Sequence, residues 1–361
     1  MATTTTPRTA SSTVPGPGTA DGPGTDVVVR LLDLADDAEL AAAHAARQAS
    51  CLHERPWAKT WSVREMAVQL RSENTVERAE PYVALVDGHV AGFALLWFPL
   101  LDNTQFTWAE VDVDPAWRGR GVGGALADRI AERTREEGRR TVLVEVNVPD
   151  DQREDHGYVR FAQRHGYSYA NTEVRRILDL PLDPARLSAL AAEAATHHEG
   201  YRIESFVGGL PEELRESYCA CWNQLAVDAP TGEIEFEEEA LSPETYAEEL
   251  GRLERQGRTM VHTVAIAPTG VVVGYNDLVV SADDPEEVMQ WGTLVRREHR
   301  GHRLGLAVKV RGLQELARFA PQAKRIQTCN AEQNAHMVGV NVELGFRKVE
   351  VLMSYQRHLD D

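Results

Sequence analysis

The sequence predicts an α/β protein of two similar domains in tandem, each a mixed central sheet flanked by helices. Three observations carry this. A segment reading VDVDPAWRGRGVGG from Val111 to Gly124 has a counterpart, TLVRREHRGHRLGL, from Thr293 to Leu306, 182 residues further on. Each copy reads as a strand, a tight basic loop and the start of a helix. Each unit also closes on glycine plus an aromatic residue: Gly166-Tyr167, 48 residues after Arg118, and Gly345-Phe346, 45 residues after Arg300.

Taken in order, residues 1 to 26 are rich in Thr, Ser, Pro and Gly and have almost no large apolar groups. Such a tail cannot offset its ordering entropy by burial and is expected to be disordered. A strand is expected at Val27 to Leu31, then helices from about Ala35 to Ala49 and Val63 to Asn74. Tyr82 to Val86 and Val90 to Phe98 read as a hairpin, because Asp87-Gly88 is a strong turn pair. Thr107 to Val113 is a strand entering the first loop, and Thr141 to Val148 another. Asp183 as cap and Pro184 as first residue start a helix to about His198. The expected division is a tail at 1–26, a first domain at 27–182, a helical connector at 183–198 and a second domain at 199–361. The second domain repeats the order: helices at Glu212 to Leu225 and Pro243 to Gln256, a hairpin from Met260 to Ala267 and Val271 to Val280, and strands from Met289 to Val295 and Arg325 to Asn330.

The two loops are the first candidates for chemistry. A glycine-rich turn opening a helix aims several N–H groups and the positive dipole end at one point, which suits a pyrophosphate. Arg118 with Gly119, Arg120, Gly121, Val122, Gly123 and Gly124 forms one such loop. Arg300 with Gly301, His302, Arg303, Leu304, Gly305 and Leu306 forms the other. These residues resemble the signature of the GNAT acetyltransferase superfamily, Arg/Gln-x-x-Gly-x-Gly/Ala, whose last helix closes on Gly-Phe/Tyr. Arg118, Gly121 and Gly123 match it fully; in the second copy Arg303 stands where the first glycine is expected. The resemblance covers nearly the whole chain after residue 26, in the tandem arrangement of the actinobacterial, mycothiol-synthase type.

The resemblance implies acetyl-CoA as cosubstrate and an amine as acceptor. It implies that backbone amides before each loop (Val111 to Val113; Leu294 and Val295) pair with the pantetheine arm, and that Asn330 and Asn334 touch the same arm. For the two asparagines, helix capping is the competing role. Transfer from a thioester to an amine needs a base, and Glu110, eight residues before Arg118, is the candidate. Its setting, Trp108-Ala109-Glu110-Val111, could raise a carboxylate's pKa by desolvation. The matching position in the second domain is Gly292, which cannot act as a base. Gln290 is too weak a base, and His262 is an alternative that a structural role would equally explain. The family's tyrosine acid, about four residues before the closing glycine, is missing: Ala162 and Asn341 stand there, and Tyr158 lies one turn earlier.

Composition narrows the partners. The chain has 361 residues, a formal net charge of −18 and four cysteines. That charge disfavours nucleic acid, and could favour cationic amines where the acidic run Glu233 to Glu239 rims a cleft. No stretch nears the roughly 18 apolar residues of a membrane span, and neither a secretory signal nor a zinc site is expected. A reduced, cytoplasmic protein without metal is expected, as monomer or homodimer. The function expected is N-acetylation of a primary amine on a small molecule, such as an antibiotic or other specialised metabolite. A peptide or protein acceptor, or non-catalytic acyl-CoA binding, is the alternative.

Overall fold

The computed structural model describes residues 26–359. The tail expected to be disordered therefore lies, Asp26 apart, outside the described residues. The first series of elements is β1 (Val27–Leu31), α1 (Asp37–Leu52), α2 (Val63–Arg71), β2 (Glu77–Val86), β3 (His89–Pro99), β4 (Phe106–Val113), α3 (Val122–Glu136), β5 (Thr141–Val148), α4 (Gly157–Arg164) and β6 (Ser168–Asp179). After α5 (Pro184–Ala195) the order recurs: β7 (Arg202–Val207), α6 (Glu212–Trp222), the short α7 (Leu225–Asp228), α8 (Pro243–Arg255), β8 (Arg258–Ile266), β9 (Val272–Ser281), β10 (Glu287–Val295), α9 (Leu304–Phe319), β11 (Arg325–Ala331), α10 (Ala335–Leu344) and β12 (Arg347–His358).

Local chemistry explains most boundaries. Asp36 caps α1 by accepting from the Ala38 and Glu39 amides, and Ser62 with Glu65 forms a reciprocal capping box on α2. Asp183 caps α5, with Pro184 as its first residue. Asp87 and Gly88 both take positive φ, +50° and +79°, as the two-residue β2–β3 turn demands.

The two sheets expected from sequence are fused into one. Its order is β1-β2-β3-β4-β5-β12-β6-β11-β10-β9-β8-β7. The halves exchange their closing strands. β12, which ends the second series, pairs with β5 of the first, and β6, which ends the first, pairs with β11 of the second. β6 and β12 also pair with each other, antiparallel, at the centre. The exchange is sealed by packing. Val351, Met353 and Tyr355 of β12 join the first half's core beside Leu126 and Ile130 of α3. Leu178 of β6 and Leu187 of α5 join the second half's core beside Val310 and Leu313 of α9. Each large apolar side chain buried this way contributes about 1.5–3 kcal/mol, so neither half keeps a complete core alone.

Both halves share one departure from regular pairing. β4 and β5 run parallel but pair only from Phe106–Thr141 to Ala109–Val144. β10 and β11 likewise pair only from Glu287–Arg325 to Met289–Gln327. Beyond those points the strands diverge, leaving a wedge in the sheet with each glycine-rich loop at the end of its strand.

Candidate active site

The first loop follows a 3₁₀ turn at Pro115–Trp117. Arg118 donates from Nε to the Val113 carbonyl, 3.2 Å away, and its guanidinium stands over the Tyr158 ring at 5.3 Å. Gly119 and Gly121 have φ of +77° and +85°, and Gly121 is the cap residue from which α3 starts. A Cβ at Gly123 would lie 3.1 Å from the Phe161 ring. Gly124, where a Cβ would meet only His165 at 3.6 Å, has more room. Among the described residues, no amide N–H from Gly119 to Gly124 finds a protein acceptor; the first bond of the helix is Ala125 to Gly121. Neither Arg118 nor Arg120 has a carboxylate partner there, and Arg120 lies over Trp117 at 4.9 Å. Free donors in a left-handed turn at a helix N-terminus fit a pyrophosphate.

On β4 the backbone alternates. Asp114 donates to Ala91 of the β3 side, so the amides of Val111 and Val113 face the wedge, as a pantetheine arm would require. Trp108, Glu110 and Asp112 share one face of the strand, and the two carboxylates meet Arg47. Arg47 donates to one oxygen of Glu110 through Nε (3.1 Å) and Nη2 (2.9 Å), and lies 3.8 Å from Asp112. Glu110 remains open, with 39% of its side chain exposed against 15% for Asp112. Burial pushes Asp112 up to about 7 against the pull of Arg47, and Glu110 beside it adds to the rise. Glu145 of β5 is reached by water from the cleft, yet the crowding of its walls pushes it upward too, assisted by Glu173. Glu110, Asp112 and Glu145 share a cavity of about 270 Å³ with Tyr158, Phe161 and Tyr167. Burial moves Tyr167 up to about 12.

The second loop has the same backbone and different charges. Arg300 donates to the Val295 carbonyl at 3.1 Å, as Arg118 does to Val113. Gly301 has φ +89°, and Arg303 caps α9 at φ +52°, where Gly121 stands in the first half. The amides from Gly301 to Leu306 also lack protein acceptors among the described residues. The arginines, however, are taken. Asp228 of α7 binds Arg297 and, at 2.9 Å, Arg300; Arg303 binds Glu193 and Glu343. Asp228 lines the same 360 Å³ cavity as the loop.

Other expected positions divide. Arg296 donates to Val273, so alternation turns Val295 to the wedge and Leu294, buried, toward β9. Leu304 and Leu306 point into apolar cores, and Gly305 lines the loop cavity. His302 meets the His197 carbonyl. Asn334 caps α10 through the Met337 amide while also lining the cavity, and Asn330 accepts from Asn341. His262 is fully buried between Asp277 (2.7 Å) and Tyr246 (3.0 Å), with Tyr218 donating to Asp277. Gln290 is buried against Thr328. The acidic run does not rim a cleft of its own half: Ile234 and Phe236 carry it across to the first half, where Phe236 stacks on Trp108 at 5.9 Å.

Sequence reasoning missed Arg47, Asp112 and Glu145. Asp112 was legible by period, two residues from Glu110 on one strand face. Arg47 was not, since only the α1–β4 packing brings it there.

A glycine turn with free amides at a wedge in a mixed sheet, beside a carboxylate cluster, can hold a pyrophosphate next to groups that accept a proton. Residues 46–167 match the profile of the acetyltransferase (GNAT) family. That segment thus matches a GNAT acetyltransferase domain, and the chain as a whole shares the fold of a solved tandem GNAT protein. It is similar to a tandem GNAT protein from the clavulanic acid biosynthesis pathway, solved without acetyl-CoA, at 24% identity, with 93% of this chain and 99% of that one covered and a TM-score of 0.73. It is also similar to a GCN5-related N-acetyltransferase from Sphaerobacter thermophilus, at 17% identity, covering 93% and 96%, with a TM-score of 0.62. A GCN5-related glucosamine N-acetyltransferase region of a fungal multi-domain β-N-acetylglucosaminidase matches at 16% identity and TM-score 0.62, over 95% of this chain and 39% of that one. No curated protein matches the sequence. Among the described residues no helix is long and apolar enough to cross a membrane, and no cluster of three or more His, Cys, Asp or Glu residues could hold a metal.

Proposed function

We propose that the chain is an acetyl-CoA-dependent N-acetyltransferase for the primary amine of a small molecule, with the chemistry in the first half. One contrast carries the reading: Arg118 and Arg120, beside free loop amides, have no carboxylate partner among the described residues, whereas Arg297, Arg300 and Arg303 are already held by carboxylates. Acetyl-CoA would supply the activated thioester. The amides from Gly119 to Gly124, with Arg118, would hold its pyrophosphate, and the Val111 and Val113 backbone its arm. Val295, Arg300 and the amides from Gly301 to Leu306 would form at most a second, idle site.

An alkyl amine is protonated at neutral pH and must lose a proton before it attacks. Glu110 would take that proton through the carboxylate oxygen that Arg47 leaves free. Its position at the cavity mouth suits an incoming amine. Asp112 is the second reading, favoured by its rise to about 7, a value matched to general-base work. Tyr158 lines the same cavity and would donate a proton to the leaving thiolate.

The test compares Glu110→Gln with Arg300→Ala plus Arg303→Ala, measuring CoA thiol release with an amine panel and CoA occupancy by native mass spectrometry. The first variant should lose about 10²-fold or more in turnover while still binding CoA. The second should keep its turnover. The opposite pattern would assign the chemistry to the second half, and CoA binding without amine-dependent thiol release would make the chain a binding module.

A further inference from the structure

A second cavity of about 370 Å³ opens from the first and lies between the halves. Both are lined by Arg47, Cys51, Arg55, Glu110, Glu145 and Asn147. The residues that line only the further cavity have a different charge balance. Lys59, Arg175, Arg252 and Arg258 are there, against a single acid, Glu249. The inner cavity holds the opposite excess, with Glu110, Asp112 and Glu145 facing Arg47 and Arg55. In a chain of net charge −18, the far end of the cleft gathers cations, each held by a carboxylate: Lys59 by Asp284, Arg175 by Glu350, Arg252 by Glu249 and Arg258 by Glu65.

Two groups at that end have hydrogen-bonding capacity to spare, Arg258 and the buried Nη1 of Arg252; Arg258 offers a whole fork. Its Nε donates to Glu65 at 2.7 Å, an ion pair between the halves. Its two terminal nitrogens have no acceptor among the described residues, and Arg258 lines the cavity. A guanidinium held through Nε keeps its planar fork for a bidentate oxyanion. Arg47 and Arg258 stand over the same Trp61 ring, at 4.6 and 5.9 Å from its centre. The two ends of the cleft are therefore one indole apart, within reach of a small molecule.

The cleft also has an aromatic wall. The pairing of β10 with β9 slips between Gln290 and Thr293, so that Trp291 and Gly292 face one residue, Asp277. A Cβ at Gly292 would lie 2.9 Å from the Tyr275 ring, so only glycine fits there. The bulge turns Trp291 toward the cleft, where it is 46% exposed. An exposed tryptophan in a cleft is a ready contact for an apolar or flat ligand surface.

We propose that the acceptor is a small amine that also carries a carboxylate, with the carboxylate on the Arg258 fork, its body against Trp291 and its amine at the carboxylate cluster. Arg258 and Trp291 are thus specificity residues supplied by the second half. The proposal rests on the reading of the first half as the catalytic one.

The test uses the full chain loaded with CoA. It is titrated by calorimetry with ω-amino carboxylates of increasing chain length, some with an aromatic spacer, and with their primary amides. For the chain length that spans the cleft, the carboxylate should bind about tenfold or more tightly than its amide, as charge-assisted bonds to a fork imply. Arg258→Gln should abolish that preference, the carboxylate losing far more affinity than the amide. Arg258→Lys keeps a cation beside Glu65, guards against misfolding and should lose most of the preference. Trp291→Ala should weaken both members equally. Equal affinity for amides and carboxylates, or a preference that survives both Arg258 variants, overturns the proposal. If carboxylates bind with the stated preference but acetyl-CoA releases no thiol in their presence, carboxylate recognition stands and the transferase reading falls.

Discussion

Replacing Lys309 by Met should stabilise the protein, and by an amount that depends on pH. Lys309 lies on α9 with 1% exposure. Its ammonium has no hydrogen-bond partner among the described residues and stands 5.6 Å from the centre of the Phe346 ring. Burial lowers its pKa from 10.5 to about 7. The folded pKa is below the unfolded one, so the unfolded chain binds the extra proton between those values, and stability rises with pH across that window. Below pH 7 both states are charged and the burial penalty is complete, on the order of 4–5 kcal/mol for such a shift at 1.36 kcal/mol per pKa unit. Methionine has a similar reach and does not titrate. Lys309→Met should therefore gain about 4 kcal/mol over the natural chain at pH 6, and the gain should shrink as pH rises toward 10.5. Urea titrations of both proteins at pH 6, 8 and 10, with matched slopes, measure it. A gain that is absent at pH 6, or constant from pH 6 to 10, would refute the reasoning, because a mere packing change carries no such pH signature.

Gly121→Val with Gly123→Leu should abolish CoA binding to the first half, since the first puts a β-branched residue at φ +85° and the second drives a side chain into Phe161; unchanged affinity by calorimetry would reject the assigned loop. Asp228→Ala releases Arg297 and Arg300 and should raise CoA stoichiometry from one toward two in native mass spectrometry. Two equivalents bound by the natural chain would contradict this. If Asp112 is the base, kcat should fall as pH drops through about 7, where the carboxylate protonates, and Asp112→Asn should remove that limb; a profile flat from pH 6 to 8 excludes it. Phe236→Ala loses the stack on Trp108 and its edge contact with Phe106, and should cost about 1–2 kcal/mol because the ring is only partly buried; thermal melts check it.

Much of this protein is legible in its residues because the signals are local. Asp87-Gly88 demands positive φ, Asp183-Pro184 caps a helix, and Arg118 to Gly124 puts glycines where the chain must turn left-handed before a helix. Such preferences involve neighbours a few bonds apart, so they show in the sequence before any packing is known. Strand alternation likewise puts Glu110 and Asp112, two residues apart, on one face. What the tertiary structure alone decided depends on residues far apart in the chain. The repeat foretold two domains, but not that β6 and β12 would change places and fuse two sheets into one, because strands of equivalent pattern can close either half equally well. Nothing local marks Arg47 as the partner of Glu110, 63 positions away, or Asp228 as the carboxylate holding the second loop's arginines. The composition suggested an acidic surface drawing cations, whereas the cleft between the halves gathers arginines from both. Net charge sums over the whole surface, while a cleft senses only the groups that folding brings to its walls.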